Sequence, residues 1–156
     1  MTINTLVKRL RILEDIEEIE KLQVHYLNCI NLADWDGVID CFAKDGIVDI
    51  NAGYAKGKEQ FTRLFKEVLA LTHIGQEGPF AVHPITSISG NKARGSWLVY
   101  IRFARPRKLR PKPTILSTED APEWVQGYYE NEYKRVNGKW KINMLKFRNR
   151  LISPMS

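Results

Sequence analysis

The sequence has little of what metal centres, disulfide scaffolds and membrane spans require. Its 156 residues include two cysteines, Cys29 and Cys41, and three histidines, His25, His73 and His83. A metal site needs three or four clustered ligands, and these are scattered, so neither a metal nor a cofactor is expected. Both cysteines fall inside predicted helices and read as reduced, buried, small apolar residues of a cytoplasmic protein. No apolar run approaches the roughly 18 residues that cross a bilayer, so no membrane association is expected. The opening MTINTLVKRLRILEDIEEIE soon turns acidic, which argues against a signal peptide. A glycine-rich phosphate loop, Cys-x-x-Cys and His-Glu-x-x-His are all missing, which removes the commonest nucleotide, redox and metalloprotease signatures.

What is present fits one soluble globular domain spanning residues 1–156, with 44% hydrophobic and 27% charged residues. The net charge of +6 is local. Arg102, Arg105, Arg107, Lys108, Arg110 and Lys112 lie in one stretch, RFARPRKLRPK, and the remaining 18 basic residues equal the 18 acidic ones. A nucleic-acid surface spreads its cations over a face with aromatic platforms between them, so no nucleic-acid partner is expected. The proline-interrupted segment 105–113 reads as a solvated flap.

Residues 6 to 30 carry helical periodicity: Leu6, Leu10 and Leu13 lead into Ile16, Ile19, Leu22, Tyr26 and Ile30. Asp34 is placed to cap a second helix over 35–43 with Trp35, Val38, Ile39 and Phe42 as its apolar stripe. GIVDI (46–50) reads as a strand, and residues 58–71 as a third amphipathic helix. Strands are predicted at 82–89, 93–104, 126–136 and 139–151, the last two joined by an Asn137-Gly138 hairpin turn. In ARGSWLVYIRF, Trp97, Val99, Ile101 and Phe103 share one face, and Leu98, Tyr100 and Arg102 the other. Three helices followed by antiparallel strands give an α+β class, with the first helix crossing a bent sheet to close a cone.

The segments IEEIEKLQVHYLNCINLADWDGVIDCFAKDGIVDI and YYENEYKRVNGKWKI resemble the SnoaL-like group of the nuclear-transport-factor-2-like superfamily over roughly residues 12 to 150. The nearest resemblance is to scytalone dehydratase, bile-acid dehydratases and hexachlorocyclohexane dehydrochlorinase. It implies a cone-shaped curved antiparallel sheet packed with three N-terminal helices around an apolar cavity. Enzymes of that branch eliminate water or HCl with a pocket histidine held by an aspartate, often helped by a tyrosine. Imidazole titrates near neutral pH, and a carboxylate fixes its tautomer and balances the imidazolium.

By the resemblance, Tyr26 matches the pocket tyrosine and Asn31 stands at the aspartate position. An amide orients an imidazole but does not balance its charge. At the end of a helix, Asn31 also suits capping, but its place at a pocket position of the resembled enzymes favours the pocket. The histidine position falls near Gly78 to Phe80, whereas the histidine itself is His83, which a bulge at Gly78-Pro79 would have to bring inward. The expected catalytic set is therefore His83, Asn31 and Tyr26. Tyr129, Trp97, Val99, Phe103, Trp35, Phe80 and Arg148 are the expected substrate-binding residues. The expected function is a cofactor-independent dehydratase, lyase or isomerase acting on a small, largely apolar, cyclic oxygenated molecule. A non-catalytic binding or interaction module of the same fold is the alternative. A homodimer is expected through the sheet face bearing Leu98 and Tyr100.

Overall fold

The computed structural model describes residues 1–72, 77–103 and 124–153. His73 and the basic segment 105–113 lie outside the described residues. Helix α1 (Ile3–Leu32) is capped by Thr2, whose hydroxyl accepts from the Thr5 N–H at 3.2 Å. It ends at Ala33 in the left-handed region, φ 55°, where the Ala33 and Asp34 amides return to Ile30 and Cys29 carbonyls. Asp34 then caps α2 (Trp35–Asp40) by accepting from the Gly37 N–H at 3.0 Å. Strands β1 (Phe42–Ile50) and β2 (Gly53–Lys56) follow. Helix α3 (Lys58–Arg63) widens into a π-helical stretch, Leu64–Leu69, before a last turn, α4 (Ala70–Thr72). Thus the third predicted helix exists but is not uniformly α, and its widened turn buries the adjacent Leu64 and Phe65 together.

The remaining strands are β3 (Glu77–Ser89), β4 (Lys92–Phe103), β5 (Trp124–Val136) and β6 (Lys139–Ile152). They form one curved, unclosed six-stranded sheet in the order β2-β1-β6-β5-β4-β3. Every pairing is antiparallel except β1 with β6, which is parallel. Asn137 and Gly138, at φ 51° and 79°, make the tight β5–β6 turn. Trp97 and Val99 are buried in the core with Ile19, Tyr26 and Tyr129, so the predicted face of β4 packs against α1. The class is α+β, and no helix among the described residues is long and apolar enough to cross a membrane.

One expectation about α1 fails. Leu6, Leu10 and Leu13 do not share the core face with Ile19, Tyr26 and Ile30; all three are exposed, Leu13 by 62%. The reason lies in the spacing. Leu13, Ile16 and Ile19 are separated by two successive steps of three, and each step lags the helical repeat by about 60°. The stripe therefore winds round the helix before it reaches the sheet. Docking begins at Asp15, whose carboxylate takes Arg135 of β5 and accepts from the Trp140 indole of β6 at 3.2 Å.

Candidate functional site

The core-facing side of α1 presents Ile19, Gln23, Tyr26, Leu27, Ile30 and, one residue short of its end, Asn31. Tyr26 is buried and meets Phe42 edge-on at 5.9 Å and Tyr129 edge-on at 6.2 Å. Tyr129 leans on Phe147 at 5.1 Å, while Phe42 packs on Phe61 and Phe65, and Trp35 stacks on Phe65 at 6.5 Å. Burial holds the Tyr26 phenol well above its ordinary pKa, reinforced by a side-chain hydrogen bond and charge coupling to Tyr129. The phenol is therefore neutral across the physiological range and able to donate. Tyr26, Tyr129, Trp35, Val99 and Trp97 all face this interior, and Phe103 shares their side of β4.

Asn31 lies at the edge of the same interior. Its amide donates to the Pro79 carbonyl of β3 at 3.2 Å, and its buried Oδ1 has no partner among the described residues. The resemblance puts a histidine in the segment Gly78 to Phe80, and Asn31 does meet that segment. What it meets is the backbone of a proline, which carries no base. The bulge is real but lies further on: the β3–β4 register shifts between Val82 and Ile85. His83 sits in it with φ 52°, and its side chain is exposed. The bulge therefore gives His83 a position on the surface, contrary to the inward placement expected.

Two other expected residues are corrected by strand alternation. Phe80 pairs with Tyr100 and stacks on it at 5.7 Å on the outer face, 45% exposed. Arg148 pairs with Tyr128 on that face and binds Asp49 through two bonds of 2.8 Å, which makes it a structural ion pair. The outer face holds an apolar groove of about 540 Å³ lined by Phe80, Val82, Tyr100, Trp124, Gln126 and Leu151.

Deeper along α1 lies a polar network that the sequence reading missed. The Trp97 indole donates to the Tyr133 hydroxyl at 3.1 Å, and that hydroxyl donates to Gln23 Oε1 at 3.0 Å. Asn131 donates to the same Gln23 oxygen at 3.0 Å and accepts from the Lys146 amide. Gly95 makes room for it, since a Cβ there would stand 3.0 Å from the Tyr133 ring. Burial pushes the Tyr133 phenol up to about 12, against the lowering effect of its Asn131 and Trp97 bonds. The readable signal was Gln23 itself, a polar residue one turn beyond Ile19 on the core side. Gln23 and Asn131 are the buried polar side chains of the described core, and both are uncharged. No group of three or more metal-ligating side chains occurs among the described residues.

Several solved structures share this architecture. Hexachlorocyclohexane dehydrochlorinase LinA-type3 from Novosphingobium barchaimii LL02 is 18% identical, with a TM-score of 0.76, over 95% of this chain and 94% of its own. An NTF2-like protein with a cystatin-like fold from Novosphingobium aromaticivorans is 16% identical, with a TM-score of 0.70, over 94% of this chain and 88% of its own. Rv3472 from Mycobacterium tuberculosis, described as of unknown function, is 19% identical, with a TM-score of 0.69, over 92% of this chain and 75% of its own. At these identities the likeness concerns the fold. No curated protein matches the chain. The SnoaL-like domain profile matches residues 11–146, and with that span the chain belongs to the SnoaL-like family.

Proposed function

We propose that this protein binds a small, largely apolar, cyclic and oxygenated molecule in its interior, and does so without abstracting a proton through an Asp–His pair. The observation that carries this reading is the Asn31–Pro79 hydrogen bond. At the two positions where the resemblance implies an aspartate and a histidine stand an amide and a proline-bearing segment, and the amide donates to the Pro79 carbonyl instead of orienting an imidazole. The polar groups proposed to meet a ligand are the Tyr26 phenol, which burial keeps protonated, the Tyr129 hydroxyl beside it and the buried Asn31 amide oxygen. Such a set takes a ligand hydroxyl or carbonyl and disfavours an ion, because an unpaired charge there would be desolvated without compensation. We further propose that two copies pair through the apolar outer groove, which a lone chain leaves exposed.

A second reading, a dehydratase, lyase or isomerase, is favoured by the Tyr26–Tyr129 pair. A neutral buried phenol polarises a substrate carbonyl, which is half of an enolisation. In that reading His83, or another base, must reach the substrate.

A thermal-shift screen of neutral cyclic ketones and phenols tests the binding reading, with hits titrated by calorimetry. Binders should lose about fivefold to fiftyfold in affinity on Tyr26→Phe, consistent with one hydrogen bond. A screen without binders, or hits unaffected by both Tyr26→Phe and Asn31→Leu, would overturn it.

A further inference from the structure

About the first three turns of α1 carry an apolar stripe that none of the other described residues covers. Ile3, Leu6, Leu10 and Leu13 are all exposed, Ile3 by 78%. Their spacing of three, four and three is that of the seam positions of two heptads, with Val7 beside them. The SnoaL-like match begins only at residue 11, and contact with the sheet begins at Asp15, so most of this stripe lies outside the shared domain. It is also not a continuation of the core face: at 100° per residue, the stripe points about 150° away from the side carrying Ile19, Gln23 and Tyr26.

We propose that this stripe is a coiled-coil interface for a second copy of this chain, paired in parallel. Charge selects both the occupant and the direction. Arg9 and Glu14 flank the seam five residues apart, the separation at which side chains of parallel partners meet across it. A parallel pair forms two Arg9–Glu14 contacts between copies. An antiparallel pair that keeps the four apolar layers brings Arg9 beside its counterpart in the second copy. The seam has a defined end, because its next two positions are Glu17 and Glu20, which repel their counterparts. Glu17 already holds Lys21 of its own helix at 2.9 Å. Beyond Leu13 the helices therefore diverge, and since each domain sits on the far side of its own helix, the two bodies do not collide. This contact is separate from the outer groove, and both together would make a dimer of dimers.

The test uses the full chain in sedimentation equilibrium at tens of micromolar. Leu6→Glu with Leu10→Glu should halve the assembled mass while the circular dichroism and melting of the domain persist. Arg9→Glu should weaken association by about fivefold to tenfold, and adding Glu14→Arg should restore it. Leu10→Cys should give a chain-to-chain disulfide under mild oxidation, because parallel pairing sets position 10 against itself. An unchanged mass in the double glutamate variant would overturn the proposal. So would binding to anionic vesicles that is lost on replacing Lys8, Arg9 and Arg11, which would assign the stripe to a membrane surface.

Discussion

The Asn31 side chain and the Pro79 carbonyl are joined by a 3.2 Å hydrogen bond that ties the end of α1 to the edge strand β3. An amide is needed there because a carboxylate does not donate at neutral pH. Asn31→Asp should therefore cost about 1–3 kcal/mol at pH 7, through the lost bond and the repulsion between the two oxygens. Facing a carbonyl raises the introduced carboxyl's folded pKa above its unfolded value near 4. The lost stability should then return as pH falls towards that value, when the protonated acid donates again. Urea unfolding at pH 7 and pH 4 measures this.

His83 stands four residues beyond Pro79, about 13 Å along an extended strand. Asn31→Asp should leave the NMR chemical shifts of the exposed His83 ring at pH 7 unchanged, since a charge at that distance in water is largely screened. A clear change in those shifts would place the two side chains in one pocket.

Tyr133 keeps its proton to about 12, above the ordinary value of 10.0. Between those values the unfolded chain has lost a proton that the folded chain retains. The Tyr133 contribution is thus complete below pH 10 and disappears as pH rises towards 12, at up to about 1.4 kcal/mol per pH unit. Tyr133→Phe should cost about 1–3 kcal/mol at pH 7 by stranding Gln23, Asn131 and Trp97, and should flatten this alkaline slope. Denaturant midpoints from pH 8 to 11.5 measure both effects.

Gly37 has no room for a side chain. A Cβ would stand 2.4 Å from the Asp34 carboxylate and 2.7 Å from the Cys29 sulfur. Gly37→Ala should disturb the α2 cap and its packing on α1, lowering stability by about 1–3 kcal/mol. Thermal melting would show it, whereas an unchanged melting temperature would mean that α2 shifts freely.

On the outer face, Trp124 and Phe80 meet edge to face at 6.4 Å within the apolar groove. Trp124→Glu puts a charge into any interface there and should reduce the sedimenting mass by half with little loss of folding. Unchanged mass would leave that face without a second copy.

Much of this fold was legible because it rests on short-range chemistry. The alternation in β4 put Trp97 and Val99 inside, Asp34 announced a cap, and Asn137-Gly138 announced a hairpin. What was not legible depends on small offsets. Two steps of three turned Leu13 away from Ile19, and one irregularity between Val82 and Ile85 left His83 outside. Of the expected site residues, Tyr26 and Tyr129 do meet in the core. Asn31, by contrast, takes as its partner a backbone carbonyl, which no side-chain pattern marks. Gln23 is far in sequence from Asn131 and Tyr133, and the three become a network only when α1 docks on the sheet.

The central claim, binding without proton abstraction, is tested most directly by hydrogen exchange on a bound ketone in heavy water. An enzyme that removes a proton beside a carbonyl exchanges it with solvent even when no net reaction follows. A bicyclic ketone that raises the melting temperature should be incubated with the protein in D2O and its mass followed over hours. The account predicts tight binding with deuterium uptake no faster than in buffer. Uptake accelerated a hundredfold or more, and abolished by His83→Ala, would contradict it and restore the base.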